Sequence, residues 1–355
     1  MTLNSLLLFI LYLSTVESFR RGVETIENSR YVTLSSGRTK YRIFGTNNPI
    51  HKRIVTIHGL LGCGEEYNRW RGTIVGRGYH LLQYDLVGHG LSEWRIKGLL
   101  KIDDFVKQLR ELLVAIGWTN SKIILIGLSL GGLISVNYSV KYPEHIESLI
   151  LLAPAGIISR YDSPNLYKLS KIFSPSLAKN IHKYPIFLKT MKDFLNLLGI
   201  ISSPYDPYYI MKWSTIFKIG LGGRLFERYD DYKRLAKIKD MFPILFIWGG
   251  NDLVLPLKFA FSFLKANFPE SRIVILPFTS HVLTLGSLSP INIALEFLEK
   301  TTVGNTLESL NEESNEFQII EGIKFRYTNN SVIYQINTEK YLIDDYTDIL
   351  NYGYS

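Results

Sequence analysis

Lys122-Ile123-Ile124-Leu125-Ile126-Gly127-Leu128-Ser129-Leu130-Gly131-Gly132-Leu133-Ile134-Ser135-Val136 is the stretch that decides the fold. Its first five residues form a short apolar run rich in β-branched side chains, the pattern of a buried strand. Its last residues open a helical pattern. Between them lies Gly-x-Ser-x-Gly, and strand, Gly-x-Ser-x-Gly, helix is the setting in which a serine becomes a nucleophile on a sharp turn. Such a turn crowds the backbone, so a Cβ at either flanking glycine would clash. It lifts Ser129 Oγ out of the sheet. It also leaves the N–H of Leu130 at a helix N-terminus, free to face a developing oxyanion.

A serine hydroxyl is a poor nucleophile until a base takes its proton, and a histidine can take it near neutral pH and return it to the leaving group. A carboxylate then holds the ring tautomer and stabilises the imidazolium. Two later segments offer these groups. Pro243-Ile244-Leu245-Phe246-Ile247-Trp248-Gly249-Gly250-Asn251-Asp252 reads as a buried strand ending in a Gly-Gly turn, with a carboxylate just beyond. Arg272-Ile273-Val274-Ile275-Leu276 is another buried strand, and Pro277-Phe278-Thr279-Ser280-His281 places a histidine in its loop. Taken alone, Asp252 is an ordinary turn former and His281 an ordinary loop residue. Taken together, Ser129, Asp252 and His281 stand at strand ends in the chain order of the α/β-hydrolase triad.

Further upstream, Arg53-Ile54-Val55-Thr56-Ile57 runs into His58-Gly59-Leu60-Leu61-Gly62, and Tyr79–Tyr84 runs into Asp85-Leu86-Val87-Gly88-His89-Gly90-Leu91-Ser92. The first resembles the oxyanion loop of α/β-hydrolases, and the second is similar to an Asp-x-x-Gly-His-Gly-x-Ser signature of the same superfamily. The chain thus resembles the lipase/esterase-like α/β-hydrolases with a helical cap, over residues 30–300. The resemblance implies that Leu60 and Leu130 supply the oxyanion N–H groups. It implies that His58, Asp85 and His89 are scaffold residues of their loops. Two departures stand out. Ser280 precedes the triad histidine where many relatives have glycine. Leu128 precedes the nucleophile where many have a polar residue, which favours an acyl chain over a polar substrate.

The expected architecture is an open, twisted, mostly parallel sheet with helices on both faces and its site at the carboxyl ends of the strands. Strands Tyr31–Leu34, Lys40–Phe44, Arg53–Ile57, Ile123–Ile126, Ser148–Leu152, Ile244–Ile247 and Ile273–Leu276 are read from their composition. The later ones are nearly all apolar, as parallel strands covered on both faces are. Ile102–Ile116 reads as an amphipathic helix ended by Gly117.

Four further segments complete the organisation around a core of residues 30–156 and 239–300. Residues 1–18 read as a secretory signal, from the apolar run Leu6–Leu13 and the small residues Val16 and Ser18 at a cleavage site. An uncleaved anchor is the next reading and an ordinary helix the last, since no basic residue precedes the run. Residues 157–238 break the strand–helix alternation at the place where the superfamily inserts a cap. A cap supplies apolar pocket walls and screens the acyl-enzyme from water, or only stabilises the fold. Residues 305–316 read as a polar, acidic linker within the appendage 301–355. Phe317–Tyr327 and Ser331–Ile336 then read as a hairpin that packs on the core, recruits a partner or stays partly disordered. The turn carries the sequon Asn329-Asn330-Ser331, which has meaning only in the secretory pathway.

Charge is unevenly spread. Within the net +8, residues 157–240 carry +8, with 15 Lys/Arg and 7 Asp/Glu, while residues 301–355 carry −6, with 3 and 9. That asymmetry, with no nucleic-acid module, argues against a nucleic-acid partner. A basic insertion over the site suits an anionic membrane surface or anionic substrate, or is a solvated helix surface. The single cysteine, Cys63, excludes an intrachain disulfide and reads as a packing residue. The seven histidines are scattered and suggest no metal site. No cofactor is needed, because attack, proton transfer and charge stabilisation all come from chain groups. The function expected is cleavage of a carboxylic ester, lipid-like or apolar, through an acyl-enzyme. A thioesterase, amidase or C–C bond hydrolase would use the same triad, and a non-catalytic binding protein of this fold is the rival from another class. Epoxide hydrolases and haloalkane dehalogenases fit less well, since those relatives carry Asp where this chain has Ser129.

Overall fold

The computed structural model describes residues 29–47, 52–60, 62–95, 100–159, 227–276, 279–284 and 288–302, and the backbone of 317–320, 323–328 and 331–336. The expected signal segment 1–18 and most of the expected cap lie outside these residues.

The sheet starts with an antiparallel hairpin, β1 (Arg30–Leu34) and β2 (Gly37–Phe44), turning at Ser35-Ser36. β3 (Arg53–Ile57) follows, and then β4 (His80–Tyr84), which slots between β2 and β3. β2 meets β4 antiparallel, while β4, β3, β5 (Ile123–Leu128), β6 (Ile146–Leu152), β7 (Ile244–Gly249) and β8 (Arg272–Leu276) run parallel. β5 and β7 are buried along their whole length, and β6 nearly so. This is the two-sided burial that their unbroken apolar composition predicts. β5 and β7 each run two residues further than the composition suggests, because parallel pairing continues into Leu128 and Gly249.

Helices cover the sheet. α1 (Asn68–Gly76) and α2 (Ile102–Ala115) precede α3 (Leu130–Lys141), which leaves the elbow at Ser129. α2 stops one residue short of the expected Ile116, where the chain turns through Gly117 at φ 73°. Seven of its residues are buried, Ile102, Phe105, Leu109, Leu112 and Leu113 among them, so the predicted apolar face is the face that packs. α4 (Tyr229–Ala236), α5 (Leu257–Asn267) and α6 (Ser289–Thr302) complete the layers.

The insertion leaves and returns at one place. Arg228 N–H donates to Gly156 O at 2.7 Å, so its two ends are pinned together. The chain is back on the core earlier than the expected boundary at 239. Asn137 of α3 donates to Asp231 of α4, and Tyr232 Oη donates to Ala155 O. α4 therefore belongs to the core, held to the helix that follows Ser129.

The appendage also differs from expectation. Its first arm is two strands, β9 (Phe317–Ile320) and β10 (Ile323–Thr328), and β11 (Ser331–Ile336) follows. The antiparallel register pairs Ile320 with Ile323, which leaves Glu321 and Gly322 between them. β11 pairs antiparallel with β8, so the sheet has eleven strands in the order β1-β2-β4-β3-β5-β6-β7-β8-β11-β10-β9. An uncovered strand edge is a row of unpaired N–H and C=O groups that promotes association. Here that edge of β8, the strand that leads to His281, is paired. A chain ending at Thr302 should therefore melt several degrees lower and scatter more light on heating. An unchanged thermal midpoint would show that the three strands lie outside the cooperative unit.

Candidate active site

The elbow forms because two glycines let backbone pass close to backbone. A methyl group on Gly131 would lie 2.0 Å from the carbonyl oxygen of Ile57, and one on Gly127 2.4 Å from that of Gly131. Real Cβ contacts do not approach so closely, so α3 can start directly against the end of β3 only with glycine there. Ser129 sits at φ 53°, ψ −112°, a backbone conformation that costs a non-glycine residue on the order of 1–3 kcal/mol. The surroundings hold it there: Ser129 N–H donates to Leu152 O, and Ser129 O accepts from Leu133 and Ala155 N–H. Leu128 is buried beneath this turn.

Asp252 and His281 are brought into direct contact. His281 Nδ1 lies 2.7 Å from Asp252 Oδ2, and both side chains are largely buried. Asp252 Oδ1 accepts N–H bonds from Val254 at 2.9 Å and Leu255 at 2.7 Å. The carboxylate is thus locked from one side and presents its other oxygen to the ring. With Nδ1–H given to the carboxylate, Nε2 is left as the acceptor nitrogen. The Gly-Gly turn makes this pairing feasible. A methyl on Gly249 would lie 2.3 Å from Thr279 O and 2.5 Å from Ser280 O, so the histidine loop rests on bare backbone. Asn251 N–H donates to Thr279 O and Gly250 N–H to Leu276 O, tying the two loops together. Ser280, in place of the relatives' glycine, is buried in this turn.

Ser129 ends β5, and Asp252 and His281 follow β7 and β8. These strands are parallel, so all three residues stand at the carboxyl ends of the strands, on one side of the sheet.

The loop after β3 meets them there. A methyl on Gly59 would lie 3.5 Å from Ser129 Cβ. Gly59 O faces His58 Nδ1 at 2.8 Å and accepts from Gly62 N–H at 3.2 Å. Leu86 N–H donates to His58 Nε2 at 3.0 Å, so the ring's proton is on Nδ1 and that nitrogen donates. In a trans peptide the C=O and the following N–H point opposite ways. Holding Gly59 O therefore aims Leu60 N–H away from His58. Burial pushes the His58 pKa down to about 4, so the neutral, one-tautomer ring persists into acid. His58 is thus a scaffold residue with a specific task. His89 is buried, with Nδ1 against Val87 O, and holds its own loop.

Sequence reasoning missed two groups. Lys40 is buried with its ammonium against Glu65 and 3.7 Å from Asp85, and Arg42 lies 3.4 Å from Glu65. Burial would push the Lys40 pKa down, but Asp85 and then Glu65 more than reverse this and leave it raised. Asp85 also accepts N–H bonds from Gly64 and Leu91. Cys63, Glu65 and Asp85 approach one another closely enough to hold a metal, but the Lys40 ammonium is the cation of this cluster. The second missed group is Glu66, which accepts from Gly59 N–H and Thr284 O–H. Lys40 and Arg42, two residues apart on β2, are the local sign of the first; nothing local marks the second.

Comparison with known proteins agrees with this architecture. Residues 48–281 match the family described as serine aminopeptidase, S33. A lipase of Moraxella sp. is 27% identical over 262 residues, 71% of this chain and 78% of that protein. The monoacylglycerol lipase ABHD6 of Bos taurus is 25% identical over 265 residues, 71% and 76% respectively. A thermophilic esterase from Thermogutta terrifontis superposes with a TM-score of 0.57 at 20% identity, covering 78% of this chain and 99% of that one. The chain belongs to the S33 family of α/β-hydrolases.

His58 generates a prediction about stability. A group that must stay neutral in the fold loses stability as pH falls from its unfolded pKa through its folded one. For His58 that window runs from 6.5 to about 4 and amounts to roughly 3 kcal/mol. The gap in unfolding free energy between wild type and His58→Leu should narrow by about that amount across this window, read by urea denaturation. A gap that stays constant would show that the ring is not held neutral.

Proposed function

We propose that this chain is a serine hydrolase that cleaves carboxylic esters of lipid-like or apolar acyl groups. The observation that carries the reading is the locked Asp252–His281 pair, which follows β7 and β8 at the same carboxyl end of the parallel strands as the strained Ser129 after β5. In this reading Ser129 Oγ attacks the carbonyl carbon while its proton passes to His281 Nε2. Negative charge moves to the carbonyl oxygen, where Leu60 and Leu130 N–H groups meet it. Collapse breaks the ester C–O bond, and the imidazolium returns its proton to the leaving alcohol. Water then repeats the sequence on the acyl-enzyme, releasing the acid and freeing Ser129. Asp252 keeps Nδ1–H in place throughout.

Several features support an ester over the other bonds this chemistry cleaves. The Moraxella and Bos taurus relatives are named lipases. Leu128 is buried under the elbow and places an apolar side chain, not a polar group, behind Ser129. The family description names an aminopeptidase, and that favours an amide as the second substrate to try.

Ser129→Ala should abolish fluorophosphonate labelling and lower ester turnover on the order of 10⁴-fold or more, with the fold intact. Asp252→Asn and His281→Ala should each lower turnover strongly, and combining them should add little, because triad members act as a unit. Undiminished turnover without Ser129 would end the proposal, and multiplicative losses would reject one of the other two assignments. An ester panel of graded acyl length then reads the substrate class.

We also propose that the native protein enters the secretory pathway and begins near Phe19, from the apolar run and the Val16-x-Ser18 site. Amino-terminal sequencing of native material decides this, and an intact Met1 on a cytosolic protein would overturn it.

A further inference from the structure

We propose that Glu66 is a positioning residue that straps the oxyanion loop to the histidine loop, fixing how the two act together on one carbonyl. The inference rests on the serine-hydrolase reading and adds a residue to it.

Glu66 lies in a single 3₁₀ turn, Gly64–Tyr67, just after the oxyanion loop. Its Oε2 accepts the Gly59 N–H at 3.2 Å, and its Oε1 accepts the Thr284 hydroxyl at 3.3 Å. Gly59 is the residue that abuts Ser129 and precedes Leu60. Thr284 is fully buried three residues past His281. One carboxyl group therefore touches both loops that must converge on the substrate. Gly59 is then held from both sides, its carbonyl by His58 and its N–H by Glu66. The loop makes room for this: a methyl on Gly62 would lie 2.6 Å from Glu66 Oε2 and 3.2 Å from His58 Nδ1. Packing alone would be served by any side chain of that size, whereas these two contacts need an acceptor toward Gly59 N–H and a hydrogen-bonding group toward the Thr284 hydroxyl.

The groups that face Glu66 come from three elements. The oxyanion loop presents His58, which stays neutral. Its own turn presents Tyr67, whose phenol is held well above its ordinary value by burial, then by Glu66 itself. The histidine loop presents Thr284 and His281. Desolvation pushes Glu66 up to about 7, against Gly59 N–H, Thr284 and His281, which all favour the carboxylate. Its charge therefore changes in the working pH range while its two contacts persist. Glutamine keeps an acceptor for Gly59 N–H and a donor for Thr284 Oγ, but carries no charge.

The test measures kcat and KM on a soluble short-chain ester across pH about 5 to 9, for wild type and four variants. Fluorophosphonate labelling of wild type comes first. Glu66→Leu and Thr284→Val should each lower kcat about tenfold or more with KM near wild type, since the oxyanion exists only after attack. The double variant Glu66→Leu/Thr284→Val should be no worse than the worse single one, because each cuts the same strap. Glu66→Gln should keep most of kcat and remove an ionisation near pH 7 from the profile. Unchanged kcat in Thr284→Val, multiplicative losses, or a Glu66→Gln profile identical to wild type would each overturn the proposal. If Glu66→Leu does not fold, Thr284→Val and Glu66→Gln decide alone. If wild type takes no label and Ser129→Ala hydrolyses ester undiminished, the underlying reading falls, and this one with it.

Discussion

The approach of Gly131 to the carbonyl of Ile57 is the constraint on which the site depends. It lets the helix after Ser129 start against the end of β3, so the elbow and the loop that follows β3 share one small volume. Every later feature assumes that closeness. Gly59 can abut Ser129 only because no side chain separates the two backbones, and Leu60 N–H can face the same point as Leu130 N–H only if both loops begin there. A β-carbon at position 131 would push the helix off the strand and open the gap between the two amides. The strained φ of Ser129 follows from the same crowding, with Leu152, Leu133 and Ala155 holding the turn.

The histidine side of the site is built on a different economy of contacts. Asp252 spends one oxygen on its own turn, through Val254 and Leu255 N–H, and gives the other to His281. The carboxylate is thereby fixed before the histidine arrives, and the ring's orientation follows from it. Gly249 lets the carbonyls of Thr279 and Ser280 settle on the strand end, which sets the height of His281 above the sheet. β8 leads directly into that loop, and β11 covers its free edge. The appendage therefore supports the strand that leads to His281, whatever else residues 301–355 do.

The sequence shows the elbow, Asp252 and His281 because each is announced locally, by glycines and by an apolar run that stops. The mostly parallel sheet was legible for the same reason: β5, β6 and β7 are buried on both faces and so have no polar alternation. What stayed hidden depends on contacts distant in the chain. Glu66 and Thr284 are 218 positions apart, and neither lies in a pattern that implies the other. Lys40 reads as one more charged residue on an outer strand until β2 is placed beside β4, which brings Asp85 to it. The appendage was visible as a two-armed hairpin, yet the break of its first arm into β9 and β10 and its place beside β8 were not, because edge pairing is made by backbone groups that every residue carries. α4 falls within the insertion in the sequence because the strand–helix alternation resumes only after it; what ties it to the core is Asp231, bonded to Asn137 of α3, and Tyr232, bonded to Ala155.

Glu65 and Glu66 show how far environment outruns residue type. They are adjacent, chemically alike and in one 3₁₀ turn, where successive side chains point about 120° apart. Glu65 turns toward β2 and meets Lys40 and Arg42, so its charge is balanced and its role is to fasten the outer strands to the Asp85 loop. Glu66 turns the other way and meets an N–H and a hydroxyl, contacts that either protonation state can satisfy. Exchanging the two environments would serve neither. A neutral carboxyl beside Lys40 and Arg42 would leave two buried positive charges poorly matched, and a carboxylate held permanently ionised beside Gly59 would set a fixed charge next to the proposed oxyanion site. The turn thus separates a structural charge from an adjustable one by a single residue. That separation permits the oxyanion loop to be held tightly without placing a second full charge where the reaction must develop its own.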